Sequence, residues 1–197
     1  MANVVITGGS RGIGAAAVAL FAARGDRVWF LYEKEHEKAA QVAKATGATA
    51  ICCDVADGEA VTRAFAAIED VDILICNAGI CHYGLLQSLS DAQWDRLFDV
   101  NVKGIFHCVK AAMPAFLRSH SGCIITVSSM WGQVGASCEA AYSATKGAVI
   151  ALTRALAQET PLGRNGTPED VARAMAYLAD APFVTGQILP VNGGYVL

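Results

Sequence analysis

Tyr142 and Lys146 stand four residues apart in YSATK, at the head of an Ala-rich helical stretch, so they share one helical face. Ser129 closes the apolar run CIITVSS, which reads as a strand, 13 residues before Tyr142. In doubly wound α/β chains, ligands bind outside the carboxyl ends of the strands. A phenol, an ammonium and a hydroxyl would therefore meet in one crevice. Taken singly, each residue has an ordinary reading: a packed helix tyrosine, a solvated lysine, a turn serine. Asn101, in NVKG, joins the set as a fourth member.

A second constellation lies at the start of the chain. The strand pattern NVVIT runs straight into Thr7-Gly8-Gly9-Ser10-Arg11-Gly12-Ile13-Gly14, with glycines spaced G-x3-G-x-G. Glycines there let the backbone turn sharply and approach a ligand. The helix opening near Gly12 aims free N–H groups and a positive dipole end at the same spot, which suits a pyrophosphate. A glycine triplet alone says little. Its place between the first strand and the first helix is what points to a dinucleotide.

The elements that must hold these groups alternate along the chain. Strands are expected over residues 3–7, 27–31, 48–52, 72–76, 123–127 and 186–191. Helices are expected over 12–24, 35–46, 58–69, 91–118, 142–158 and 168–178. NVVIT and DILIC are apolar throughout instead of alternating, the mark of strands covered on both faces. The fold class is therefore α/β: a Rossmann-type, doubly wound parallel sheet, read as a single domain over residues 1–197.

Bulk composition narrows the function classes. The 197 residues are 54% hydrophobic and 17% charged, with a net charge of −3. That is a globular chain with no electrostatic reason to seek nucleic acid or an anionic membrane. No apolar run reaches a membrane-span length, and MANVVITGG enters a strand without a leader pattern, so a cytoplasmic location is expected. Seven cysteines (Cys52, Cys53, Cys76, Cys81, Cys108, Cys123, Cys138) form no CxxC pair and read as small buried hydrophobes. His36, His82, His107 and His120 lack metal-ligand spacing, so no metal is expected.

Taken together, TGGSRGIG (7–14), DV (54–55), NAG (77–79), Asn101, the serine pair 128–129 and YSATK (142–146) resemble the short-chain dehydrogenase/reductase family, in order and from end to end. PEDVA (168–172) and TGQILPVNGG (185–194) resemble its C-terminal portion. The resemblance implies an NAD(P)H-dependent oxidoreductase acting on CH–OH and C=O groups. Tyr142 would protonate the substrate carbonyl oxygen as hydride reaches the carbon. Lys146 would stabilise the phenolate of a residue whose ordinary pKa is about 10 and would also bind the nicotinamide ribose. Ser129 would hold the carbonyl oxygen, and Asn101 a water leading from Lys146 to solvent. Gly8, Ser10, Arg11, Gly12, Ile13 and Gly14 would hold the pyrophosphate region. Asp54 and Val55 would meet adenine, and Asn77, Ala78 and Gly79 the adenosine ribose and sheet core. All four residues of the set being present argues against a non-catalytic, cofactor-sensing relative.

The same resemblance places Tyr32 where NAD-using members carry an acid. Arg11 and Lys34 are basic residues nearby, while Glu33 counts the other way. NADPH is thus the expected cofactor, with NADH the alternative. The whole chain looks most like 3-oxoacyl-[acyl-carrier-protein] reductases. SSMWGQVGASCEAAYSATK also resembles reductases of the 5-aminopentanone modification on elongation factor P. Gln133, Cys138 and Glu139, between Ser129 and Tyr142, are the candidate substrate contacts. A carboxylate at Glu139 suits a cationic aminoketone better than an acidic carrier. Ala- and Val-rich helices over 99–118 and 142–158 are apolar on more than one face and need partners. The family pairs them across a two-fold axis, so a D2 homotetramer, or at least a dimer through those helices, is expected.

One stretch breaks the alternation. Between the helix at 142–158 and the helix at 168–178 there is no strand, although a parallel sheet needs each crossover to return to it. The expected strand order is 3-2-1-4-5-6-7 with strand six missing near 159–160. Either several tens of residues are not carried in this numbering, which predicts a chain break within 156–162, or they are deleted. The first is favoured, because loss of an inner strand would leave apolar neighbours exposed.

Overall fold

The structure is a computed structural model, and it describes residues 1–68, 70–159, 162–164 and 166–194. It divides into two compact units, residues 1–150 and 151–197.

The first unit is built on five parallel strands in the order β3-β2-β1-β4-β5. They are β1 (Asn3–Thr7), β2 (Arg27–Tyr32), β3 (Thr49–Cys52), β4 (Ile73–Cys76) and β5 (Cys123–Thr126). The apolar runs form strands because both faces are covered. Val4, Val5, Ile6, Phe30, Leu31 and Leu74 are fully buried. Register pairs Val4 with Val28 on one side and with Ile73 on the other. Helix α1 (Gly12–Ala23) contributes Val18 to a core of Val4, Ile6, Val28, Phe30, Ala39, Ala48 and Ile75. Helix α2 (His36–Thr46) ends on Gly47 in the left-handed conformation. Helix α3 (Gly58–Ala66) starts under an Asp57 cap that accepts from Glu59 and Ala60 N–H. It stops before the expected residue 69, which lies outside the described residues.

The helix expected over 91–118 is not uniform. Helix α4 (Asp91–Phe98) opens with a Ser90/Gln93 capping box. It passes into a π turn at Asp99–Lys103 and continues as α5 (Gly104–Ser119). A π turn bulges the helix by one residue, and such bulges collect at functional sites. This one presents Asn101. A short helix α6 (Trp131–Val134) precedes α7 (Ala140–Glu159).

The second unit begins within α7 and contains α8 (Pro168–Asp180). Thr167 and Asp170 form the α8 capping box, and Arg164 grips Asp170 at 2.6 and 3.0 Å. That contact, with the Thr167 N–H, holds the Asp170 carboxyl well below the usual carboxylate range. No strand lies between α7 and α8 among the described residues. The strand expected over 186–191 does not form either, which corrects the sequence reading. A strand exists only when paired, and the neighbour it needs in the expected sheet order is the sixth strand, which does not form among the described residues. Helix α7 is unbroken through Glu159, whereas Thr160 and Pro161, where a break would have to fall, lie outside the described residues. Among the described residues β5 has a strand on one side only, and Ile125 on it is 40% exposed.

The cysteines also depart from expectation. Cys53, Cys76 and Cys108 are buried, but Cys52, Cys81 and Cys123 are exposed and Cys138 is half-buried. Cys52 and Cys123 lie on β3 and β5, the outermost strands, each with a strand on one side only among the described residues. Burial pushes the Cys53 thiol up to about 11 and the Cys76 thiol up to about 12. No group of three or more metal-ligating side chains occurs among the described residues. No described helix is long and apolar enough to cross a membrane.

Candidate active site

The sheet order reverses direction between β1 and β4, the place where open α/β sheets open a crevice. A cleft of about 480 Å³ lies there. Gly8, Ser10, Arg11, Gly12, Ile13, Gly14, Tyr32, Lys34, Asp54, Val55, Asn77, Ala78 and Gly79 all line it. Glu33, which the sequence reading weighed only as counting against NADPH, lines it too, as do Ile80 and Val100, which that reading did not name.

The loop geometry is that of a cradle. Helix α1 starts at Gly12 without a side-chain cap, so its first N–H groups are left to a ligand. A Cβ at Gly14 would fall 2.1 Å from the Gly8 carbonyl oxygen, so only glycine permits this approach of helix to loop. Thr7 fixes the opposite wall. Its hydroxyl accepts from the N–H groups of Asn77 at 3.0 Å and Ala78 at 2.9 Å. The Asn77 amide donates back to the Thr7 carbonyl at 2.9 Å. Thr7 was inside the recognised motif, but nothing in its type announced this brace. A cleft lined both by the uncapped start of α1 and by the residues after β2 and β3 fits a dinucleotide.

Lys146 is 5% exposed, and its ammonium donates to the Val127 carbonyl at 2.7 Å. Burial lowers its pKa from the usual lysine range. Its Nζ lies 5.8 Å from the centre of the Tyr142 ring, as the i, i+4 spacing on α7 predicts. Ser129 Oγ accepts from Trp131 N–H at 3.2 Å, which leaves its own proton to donate. Asn101 is fully buried. Its Oδ1 accepts from Ile80 N–H at 2.8 Å, and its Nδ2 donates to the Ile80 carbonyl at 2.9 Å and to Thr145 Oγ1 at 3.0 Å. Asn101 thus braces the loop after β4 to α7, a task the sequence reading did not give it. Asn101 Oδ1 and Lys146 Nζ flank one spot, 3.4 and 3.5 Å from where a Cβ of Gly79 would stand, so these two sit against a residue of the cleft wall, although none of Asn101, Ser129, Tyr142 and Lys146 lines the cleft itself.

Three more residues hold this corner. Thr145 donates to the Tyr142 carbonyl at 2.7 Å, and Ser128 to the Lys146 carbonyl at 2.8 Å. A Cβ at Gly132 would lie 2.6 Å from the Lys146 carbonyl carbon, so α6 can meet α7 only through a glycine. The candidate substrate residues sit beside them. Cys138 takes a positive φ of 62°, and its carbonyl accepts from Gly84 N–H at 2.7 Å. Burial, followed by the charge of Glu139 and a hydrogen bond to it, raises the Cys81 thiol, so Glu139 faces the 80–84 loop. Gln133 is exposed on α6.

The short chain dehydrogenase family pattern matches residues 2–163, and that of an enoyl-(acyl carrier protein) reductase matches 157–196. The chain belongs to the short-chain dehydrogenase family. This is a family of NAD(P)-dependent oxidoreductases. A 3-oxoacyl-[acyl-carrier-protein] reductase, FabG, of Staphylococcus aureus (strain Mu50 / ATCC 700699) is 34% identical over 238 positions, covering 98% of this chain and 97% of the relative. Since the chain has 197 residues, at least 41 of those positions (238 less 197) face gaps in it. A short-chain dehydrogenase from Streptomyces avermitilis superposes with a TM-score of 0.76 at 31% identity, over 80% of this chain and 60% of that one. BdcA, solved in complex with NADPH, gives 0.73 at 35%, over 80% and 64%. This short-chain dehydrogenase thus spans under two thirds of both solved chains. Its two family matches overlap at 157–163, the stretch where the sequence reading found no sixth strand and where none forms among the described residues.

Proposed function

We propose that the chain is an NADPH-dependent ketoreductase of the 3-oxoacyl-[acyl-carrier-protein] reductase type, with residues 1–197 acting as one domain. The observation carrying this reading is the buried Lys146 beside the Tyr142 ring, with its ammonium against Gly79, which lines the nucleotide cleft. Bound NADPH supplies hydride to the ketone carbon. Tyr142 gives its phenolic proton to the carbonyl oxygen, and Ser129 donates a hydrogen bond to the same atom. Lys146, pinned by Val127, keeps positive charge next to the ring as the phenol loses its proton. Its burial-lowered pKa eases the return of a proton along the same path.

The acyl substrate is inferred from the 34% identical reductase. A second reading, reduction of a cationic aminoketone such as the elongation factor P modification, is favoured by Glu139 on the substrate side. The test is reduction of an acetoacetyl thioester with NADPH and NADH, alongside mass spectrometry of elongation factor P from a knockout. Thioester turnover with kcat/KM higher for NADPH is expected. No thioester turnover, with an altered elongation factor P mass, would establish the second reading instead. Equal or reversed coenzyme ratios would sink the NADPH assignment.

The homotetramer is part of the same reading, and a cytoplasmic enzyme is the setting it implies. Phe106 and Leu117 on α5 are 53% and 67% exposed, which is apolar surface a partner helix would cover. Light scattering at micromolar concentration is expected to give four times the mass of the chain, and a monomer would refute the assembly.

A further inference from the structure

At the adenosine end of the cleft, β2 and β3 end side by side, with Tyr32 opposite Cys52. Glu33 and Asp54 follow those ends, and both line the cleft. Arg96, in the last turn of α4, reaches both. Its Nη1 lies 2.8 Å from Asp54 Oδ2, and its Nη2 lies 3.1 Å from Glu33 Oε1. Lys34 Nζ lies 2.9 Å from the same Glu33 oxygen. The other Asp54 oxygen accepts from Ala56 N–H at 2.9 Å.

A single exposed ion pair contributes little. This arrangement is different, because one rigid guanidinium fork spans two carboxylates on two separate loops. Burial works against the charge on Arg96, but the hydrogen bond and charge of Asp54, with the charge of Glu33, hold it firmly protonated. The other acid on this rim, Glu35, is taken by Lys38 at 2.8 Å. Arg11 stays exposed at the start of α1.

A free carboxylate after β2 would accept the 2′-OH of an adenosine ribose and repel a 2′-phosphate. We infer that Arg96 is a positioning residue for coenzyme choice. By holding Glu33 in its fork it keeps that carboxylate from the 2′ position and leaves the rim open to a 2′-phosphate. The inference rests on the NADPH reading above and names the residue that makes that reading compatible with Glu33.

The test is calorimetric binding of NADP+ and NAD+, which differ only in the 2′-phosphate, with no turnover required. Arg96→Gln is expected to cut the affinity ratio in favour of NADP+ by at least ~10-fold, the scale of one charge-assisted contact. Adding Glu33→Gln should restore the ratio to within about threefold of the parent, because the offending carboxylate is then gone. Arg96→Lys, a milder change that holds one carboxylate at a time, should give an intermediate ratio. That variant serves if Arg96→Gln does not fold, and a parental ratio in it overturns the inference. Equal weakening of both nucleotides would mean simple loop support and would also overturn it. So would a fallen ratio that Glu33→Gln fails to restore, since Arg96 would then meet the phosphate directly. A parent that prefers NAD+ defeats the NADPH reading alone, because the shift caused by Arg96→Gln is read relative to the parent.

Discussion

Replacing Tyr142 by phenylalanine is expected to lower kcat by at least ~100-fold, the usual contribution of a general acid, with NADP+ affinity nearly unchanged. The substitution removes one oxygen and keeps the ring. Tyr142 is held through its backbone, whose carbonyl accepts from Thr145 at 2.7 Å, so the helix should not move. Lys146 keeps its bond to Val127 and stays in place. The loss should therefore appear in kcat. Lys146→Met should behave differently. It removes the ammonium that lies beside the ring and flanks Gly79, so both rate and nucleotide affinity should fall. Steady-state kinetics and calorimetric titration separate the two patterns. A Tyr142→Phe enzyme that keeps most of its activity would show that the proton comes from elsewhere.

Gly14→Ala is expected to weaken NADP+ binding by at least ~10-fold, on the scale of displaced hydrogen bonds to charged groups. The added methyl would sit 2.1 Å from the Gly8 carbonyl oxygen and 2.7 Å from the Asn77 amide nitrogen. Neither the backbone oxygen nor the Asn77 side chain, tied to the Thr7 and Gly8 carbonyls, is free to yield. The start of α1 must therefore swing away from the loop, and its N–H groups leave the place where a pyrophosphate would lie. Overpacking of this kind costs about 1–3 kcal/mol of stability. For a chain of this length that lowers Tm by about 2–4 °C per kcal/mol. Circular dichroism at the titration temperature checks that the variant is folded. Parental affinity at parental Tm would refute the cradle.

Much of the fold is written locally. NVVIT, RVWFL and DILIC carry unbroken apolar runs, and each became a parallel strand within one residue of its expected ends. The glycine-rich turn and the YSATK face were equally legible, because three- and four-residue spacings become neighbours as soon as a helix forms. Edges were harder. Which cysteines are exposed depends on which strands lie outermost, and the run at 186–191 has strand-like composition but no strand to pair with.

The sequence by itself determined a doubly wound α/β chain of the short-chain dehydrogenase type, its nucleotide loop and the four residues of its proposed chemistry. The fold class and the loop follow from local periodicity and glycine geometry, whereas the family and the roles of the four residues are what the resemblance of their motifs implies. Only the tertiary structure decided how the four are held. The bond from Asn101 to Thr145 spans 44 positions, and the reach of Arg96 to Glu33 spans 63. The π turn that presents Asn101 is invisible in a helical pattern that runs on through it. Gly132 reads as part of a loop until α6 is seen to rest on the Lys146 backbone. Such contacts join loops whose relative placement is set by the packing of strands and helices far from either residue, and no spacing within the chain encodes that placement.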